Sequence, residues 1–228
     1  MKHSGRARQA ALRLILWTFA ALIALMAVGL IAKFVAWLVA TLLVVLAIIW
    51  AVFVLFTLYF FRDPDPNVPE RANSVLSPAH GKVDMVDQVL EPRFMGGPCQ
   101  RISIFLSVID IHVQNAPVTG RLACMVHTPG QFISALRTES AEHNENLLMG
   151  IESPAEGGTK IGVRLIAGVL ARRIVPFVKE GESLARGERI SLIQFGSRTD
   201  LYLPLSAKIN IKIGDRVVGG ETIMAVLE

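Results

Sequence analysis

Ser197 directly follows Gly196, so a hydroxyl nucleophile sits beside a residue whose backbone can take dihedral angles closed to other residues. A hydroxyl attacks only when a base removes its proton. The chain has five histidines, and an imidazole with an ordinary pKa of about 6.5 suits that work. One of them, His112, stands in an apolar run that reads as a strand, where a histidine is also commonly hydrogen-bonded in place, and His80 stands in Ser77-Pro78-Ala79-His80-Gly81. His127 and His143 have no such setting. Asp84, Asp110 and Asp200 are the carboxylates that could orient or assist such a base. Cys99 and Cys124 stand far apart with no Cys-x-x-Cys spacing, which supports neither a zinc site nor a disulfide framework, and no metal is expected. A lone Gly-Ser pair is ordinarily a turn, so its meaning depends on what surrounds it.

The flanks of this pair repeat. Val-Lys-Glu-Gly-Glu-Ser-Leu-Ala-Arg-Gly-Glu-Arg-Ile from Val178 aligns without a gap on Ile-Lys-Ile-Gly-Asp-Arg-Val-Val-Gly-Gly-Glu-Thr-Ile from Ile211, 33 positions later. Each copy reads strand, Gly-acidic turn, short apolar piece, Gly-Glu turn, strand, which predicts two β-hairpin units with Gly196-Ser197 in the link between them. Upstream, Lys82 to Leu90, Arg101 to Val113 and Thr159 to Leu165 read as strands, and Ile166 to Val175 fits helix or strand. Gln131 to Met149, opening after Pro129-Gly130, predicts a short helix followed by a loop.

The first quarter of the chain is of another kind. From Leu14 to Phe61 Lys33 is the sole charge, and Leu14 to Ala32 and Phe34 to Phe61 each exceed the roughly 18 residues that cross a hydrocarbon core. Two transmembrane helices, about 14–32 and 34–61, with a tight turn at Lys33, are expected. A signal peptide does not fit, because the first apolar run is too long and a second follows at once. The arginines of the N-terminus predict that end in the cytoplasm, and a second crossing returns the rest of the chain there. Arg62-Asp63-Pro64-Asp65-Pro66-Asn67-Val68-Pro69 cannot continue a helix and marks the exit. The net charge of +4 belongs to this anchor: residues 1–62 hold six basic and no acidic side chains, and the remainder is slightly negative. Nucleic-acid binding is therefore not indicated.

Four ordered runs now acquire meaning together: Ser77-Pro78-Ala79-His80-Gly81-Lys82-Val83, Ile111-His112-Val113 through Ala116-Pro117-Val118-Thr119-Gly120, Ile166-Ala167-Gly168 through Ala171-Arg172-Arg173-Ile174, and Phe195-Gly196-Ser197-Arg198. With Phe60-Phe61-Arg62-Asp63-Pro64 they resemble the short, membrane-associated phosphatidylserine decarboxylase family over nearly the whole chain. The resemblance implies that Ser197 attacks the carbonyl of Gly196, that the chain divides into a β chain of residues 1–196 and an α chain of 197–228, and that Ser197 becomes a pyruvoyl group. That group would form a Schiff base with phosphatidylserine, with no metal or diffusible cofactor. It implies His112 as a proton-handling residue and the two chains joined as a heterodimer or a higher assembly of it, at the inner membrane. Asn144-Glu145 matches the family's Asn-Glu motif, and Arg172, Arg173 and Arg198 are candidates for the lipid phosphate. His80 departs from the pattern: relatives carry aspartate there, and an imidazole cannot supply a fixed negative charge.

The expected architecture is α+β, mainly β: a membrane anchor (1–62), a linker (63–76) and a catalytic domain (77–228) with lipoyl-like repeated hairpins. The repeat also suggests a competing reading, a non-enzymatic membrane scaffold or adaptor with biotinyl- or lipoyl-like hairpins. A carrier of that kind presents a lysine at its central turn, and Phe195 to Pro204 has none; an adaptor has a long coiled coil, and heptads are absent.

Overall fold

The computed structural model describes residues 6–131, 143–154, 158–168, 173–194 and 197–227, with side chains of the helix from Leu12 onward. They form two compact units, Met1–Thr57 and Leu58–Glu228.

The first unit lies within a single helix, α1 (Arg6–Phe60). The expected turn at Lys33 is absent. Between Leu14 and Phe61 there is no proline and one glycine, Gly29, so nothing in the local chemistry ends the helix. Its hydroxyls are satisfied internally, Thr18, Thr41 and Thr57 donating to the carbonyls of Leu14, Trp37 and Phe53 at 2.8–2.9 Å. An apolar stretch of 49 residues, Leu12–Phe60, is long enough to cross a membrane.

Among the described residues the second unit has fourteen strands. They are β1 (Ser74–Leu76), β2 (Gly81–Glu91), β3 (Gly97–Leu106), β4 (Val113–Asn115), β5 (Gly120–Thr128), β6 (Asn146–Ser153), β7 (Thr159–Ala167), β8 (Ile174–Pro176), β9 (Ser183–Leu184), β10 (Arg189–Ile193), β11 (Ser197–Leu203), β12 (Lys208–Ile209), β13 (Arg216–Val217) and β14 (Ile223–Val226). One eight-stranded sheet runs β13-β2-β3-β11-β7-β6-β5-β9, and two three-stranded sheets run β1-β14-β12 and β4-β10-β8. The main core, with Ile102, Ile104, Leu165, Ile190, Leu201 and Met224, is wholly buried. The long strands fall where the apolar runs placed them. The predicted single strand Arg101–Val113 is broken, because the turn after Leu106 intervenes before β4. Most of the predicted helix after Gln131 lies outside the described residues, and its last positions, 146–149, begin β6.

The 33-residue repeat is real, but its units are not hairpins. In each, the outer two strands pair with one another, β8 with β10 and β12 with β14, while the short middle strand leaves for the large sheet, β9 to β5 and β13 to β2. The turns that redirect the chain sit on glycines at positive φ in matching places, Gly181 and Gly214, Gly187 and Gly220. A second repeat, not anticipated, joins Ser77–Val83 to Ala116–Leu122. Leu76 N–H donates to Pro117 C=O while Asn115 N–H donates to Pro78 C=O, both 2.9 Å, and Gly220 and Gly187 donate to Ser77 and Ala116. The unit is thus two interlocked halves related by an approximate two-fold, with β11 and β7 paired at the centre of the large sheet.

Candidate active site

Ser197 is the first residue of β11 and pairs with the last residues of both neighbours, Leu106 of β3 and Ala167 of β7. The serine therefore stands where three central strands end together. Alternation along β11 puts Ser197 and Thr199 on the face of Leu201 and Leu203, which lie in the main core. Ser197 is fully buried, and its hydroxyl has no hydrogen-bond partner among the described residues. Such an orphan costs about 1–3 kcal/mol, and Thr199 Oγ1 on the same face is in the same state among the described residues. Gly196 lies outside the described residues.

The chain leaving β3 carries His112, the candidate proton-handling residue. Asp110 closes a tight turn, its Oδ2 accepting from the N–H and Oγ of Ser107 at 2.8 and 2.6 Å, and its Oδ1 meeting Arg216 at 3.2 Å. The carbonyl of Asp110 lies 2.8 Å from Nδ1 of His112. A carbonyl can only accept, so Nδ1 carries the proton and Nε2 the lone pair that can take another. His112 is buried, and its carbonyl receives the N–H of Ile193, the end of β10 before the chain turns toward Ser197. The aromatic ring of Phe60 lies 4.3 Å from the imidazole, centroid to centroid. Burial pushes the His112 pKa down to about 4, against the opposing pull of Asp110, so the ring is neutral at pH 7.

His80 lies near enough to act electrostatically on His112. Its ring lies so close to the backbone of Gly219 that an added Cβ would come within 2.9 Å of Cδ2, and Asn115 Oδ1 borders the same point at 2.8 Å. Burial lowers the pKa of His80, against Glu221, so it brings no fixed negative charge to this group.

The three carboxylates considered as substitutes separate cleanly. Asp110 belongs to the site, but holds His112 through its carbonyl rather than its side chain. Asp200 and the arginine beside the serine, Arg198, alternate onto the opposite face of β11. There Asp200 is fully buried, accepts from Ser103 at 2.6 Å, and has its pKa raised by burial. Asp84 pairs with the buried Arg198. Arg198 is thereby committed away from any phosphate, Arg173 is exposed, and Arg172 lies outside the described residues.

Asn144 and Glu145 fix the other neighbour of the serine: Asn144 Nδ2 donates to Ala167 C=O at 2.7 Å, and Ala167 N–H donates to Glu145 C=O at 2.9 Å. Phe60, Arg62 and Gly219 carried no assigned role from sequence. Phe60-Phe61-Arg62 was visible as a run, but its contact with His112, 52 positions away, leaves no local trace.

Comparison with known proteins finds similarity to one family over most of the chain. The family profile described as "Phosphatidylserine decarboxylase" matches residues 53–225. The phosphatidylserine decarboxylase proenzyme of Desulfotalea psychrophila is 41% identical over 180 residues, covering 79% of this chain and 83% of the relative. That of Symbiobacterium thermophilum is 40% identical over 211 residues, 92% and 93% of the two chains. That of Citrifermentans bemidjiense is 39% identical over 181 residues, 79% and 81%.

Proposed function

This chain belongs to the phosphatidylserine decarboxylase family, which makes it a decarboxylase, and from that premise we propose that it cuts itself at Gly196-Ser197 and converts phosphatidylserine to phosphatidylethanolamine. The observation that carries this reading is the buried, unpartnered hydroxyl of Ser197 at a strand end beside the turn that holds His112.

In self-cleavage, His112 Nε2 takes the Ser197 proton as Oγ adds to the Gly196 carbonyl carbon. The C–N bond breaks, the departing amine receives the proton, and an ester remains. Removal of the Ser197 Cα proton breaks the Cβ–O bond and releases Gly196 as a carboxylate; water then displaces ammonia, leaving a pyruvoyl group. That group supplies the electron sink an amino-acid decarboxylation requires. The Asp110 carbonyl fixes the His112 tautomer, the work a carboxylate does in a Ser-His-Asp relay, so the family's aspartate can be replaced by His80 without losing the orientation of the base. Phe60 covers one face of the imidazole and keeps water from it. The fragments stay joined as a heterodimer, because β11 is hydrogen-bonded along both edges and β13 and β14 pair with β2 and β1. The test is release of labelled carbon dioxide from carboxyl-labelled phosphatidylserine in vesicles, abolished by a carbonyl reagent such as phenylhydrazine. Release that phenylhydrazine leaves untouched would exclude a pyruvoyl group.

The anchor crosses the inner membrane twice, with the catalytic unit in the cytoplasm. A straight helix of 55 residues is about 82 Å long, against a hydrocarbon core of about 30 Å, so in a bilayer the apolar run accommodates two crossings only by breaking. Lys33, its one charge, is where that break is cheapest. Cysteines placed at Ser4 and Lys208 should both resist a membrane-impermeant maleimide in intact spheroplasts and react after lysis. Labelling of only one of them in intact spheroplasts would mean a single crossing.

A further inference from the structure

We infer that the Ser107–Asp110 turn is a membrane-inserting loop, its Val108 and Ile109 side chains entering the bilayer interface beside the reactive serine; this rests on the lipid-decarboxylase reading above. Ile109 is 60% and Val108 37% exposed, although they lie only three and two positions after Leu106, the wholly buried strand partner of Ser197. The turn does not present them by looseness. Asp110 ties its own carboxylate to the Ser107 N–H and hydroxyl, and Asp110 N–H donates to Ser107 C=O at 2.9 Å, which directs the two apolar residues outward.

What covers them is indicated by Arg62. The last helical residues, Leu58–Phe60, belong to the same compact unit as the turn. Arg62, the first charge after the apolar run, donates through Nη1 to Tyr59 C=O at 2.8 Å and through Nη2 to Ile109 C=O at 2.7 Å. Its guanidinium also lies 4.0 Å from the centroid of the Tyr59 ring. One cation thus joins the end of a membrane-crossing segment to the tip of the loop, and an Arg-Tyr pair at such an end is the usual marker of the headgroup level. Arg216, exposed at the base of the turn, pairs with Asp110 at 3.2 Å, so the carboxylate of the turn meets the interface with its charge balanced. Exposure alone does not select this loop. Leu90 is 70% exposed, but it pairs with Pro98 at the far end of β2, eight positions and about 25 Å from Lys82, which pairs next to the site.

The experiment reads depth without relying on turnover. Nitroxides are attached at Ile109→Cys and, separately, Leu90→Cys, in a Cys99→Ala/Cys124→Ala background reconstituted in vesicles containing phosphatidylserine. The label at 109 should be relaxed by oxygen and shielded from a water-soluble nickel chelate, with the reverse at 90. Equal nickel access at both positions would overturn the inference. Dipolar broadening at 109 would also overturn it, by showing the surface buried against a second copy. As a second readout, Ile109→Asp should lower decarboxylation of bilayer phosphatidylserine about tenfold while leaving unchanged both self-cleavage and turnover of a dihexanoyl analogue supplied from water. Equal loss on both substrates would contradict a membrane role. If the wild type released no carbon dioxide, the decarboxylase reading would fail while the nitroxide depths still stood as measured.

Discussion

Ser197→Ala should give a single chain of 24.9 kDa, with no fragment beginning at residue 197 and no decarboxylation. The wild type should give residues 1–196 and 197–228, the smaller fragment lighter than one with a serine terminus by one ammonia. The effect is complete because the same oxygen performs the cleavage and the same residue becomes the electron sink. A second consequence separates a chemical role from a structural one. Removing a buried hydroxyl ordinarily strands its partner, but Ser197 Oγ has none among the described residues. Alanine therefore relieves a desolvated orphan, and the thermal midpoint of Ser197→Ala should equal or exceed that of an uncut wild-type precursor. A clear fall would mean that the hydroxyl is a structural group, and a fragment still appearing in the variant would place the cut elsewhere.

How far the sequence foretells this arrangement depends on the range of each interaction. The two Gly-acidic turns of the 33-residue repeat are local, and they appear as Gly181 with Gly214 and Gly187 with Gly220, all at positive φ. Which sheet the middle strand joins is decided by partners 62 to 136 positions away: β9 meets Gly120 and Arg121, and β13 meets Gly81 and Lys82. A hairpin was therefore the natural expectation, and an incorrect one. The nearness of Ser77–Val83 to Ala116–Leu122 was readable in principle, as Ser-Pro-Ala-x-Gly-Lys-Val beside Ala-Pro-Val-x-Gly-Arg-Leu, but each run drew attention as a motif and not as half of a pair. In the candidate site, Ser197 and His112 are candidates because they stand in ordered motifs. The orienting partner of His112 does not follow from a motif, because the search was for a carboxylate and the structure uses the backbone carbonyl of Asp110, a group that residue identity cannot reveal. Asp84 and Asp200 stayed plausible until alternation along β11 placed Asp200, and the Arg198 that pairs with Asp84, behind the strand from Ser197.

His112→Gln carries the second large effect, and its pH dependence distinguishes a base from a packed ring. Losing a positioned base should slow self-cleavage by about 100- to 10,000-fold, measured as the appearance of the 197–228 fragment over time. In the wild type the imidazole must be neutral to act. With its pKa near about 4, self-cleavage should be flat from neutral pH to about pH 5 and fall below that. An unperturbed histidine would instead lose half its activity near pH 6.5. Stability moves with the same shift. Because the folded pKa is depressed, the unfolded chain binds its proton first as pH drops through about 6.5, so folding weakens between there and about pH 4. At pH 5 this amounts to about 2 kcal/mol, which glutamine, having no proton to bind, should not lose. His80, also depressed by burial, adds a slope of the same sign, but it is present in both proteins and cancels in the difference. The gap between variant and wild-type thermal midpoints should therefore shift in favour of the variant as pH falls from 7 to 5. Parallel pH slopes would show that His112 is not held neutral by its surroundings, and a cleavage rate that survives the substitution would move the base to His80, the imidazole near it that packs against Gly219.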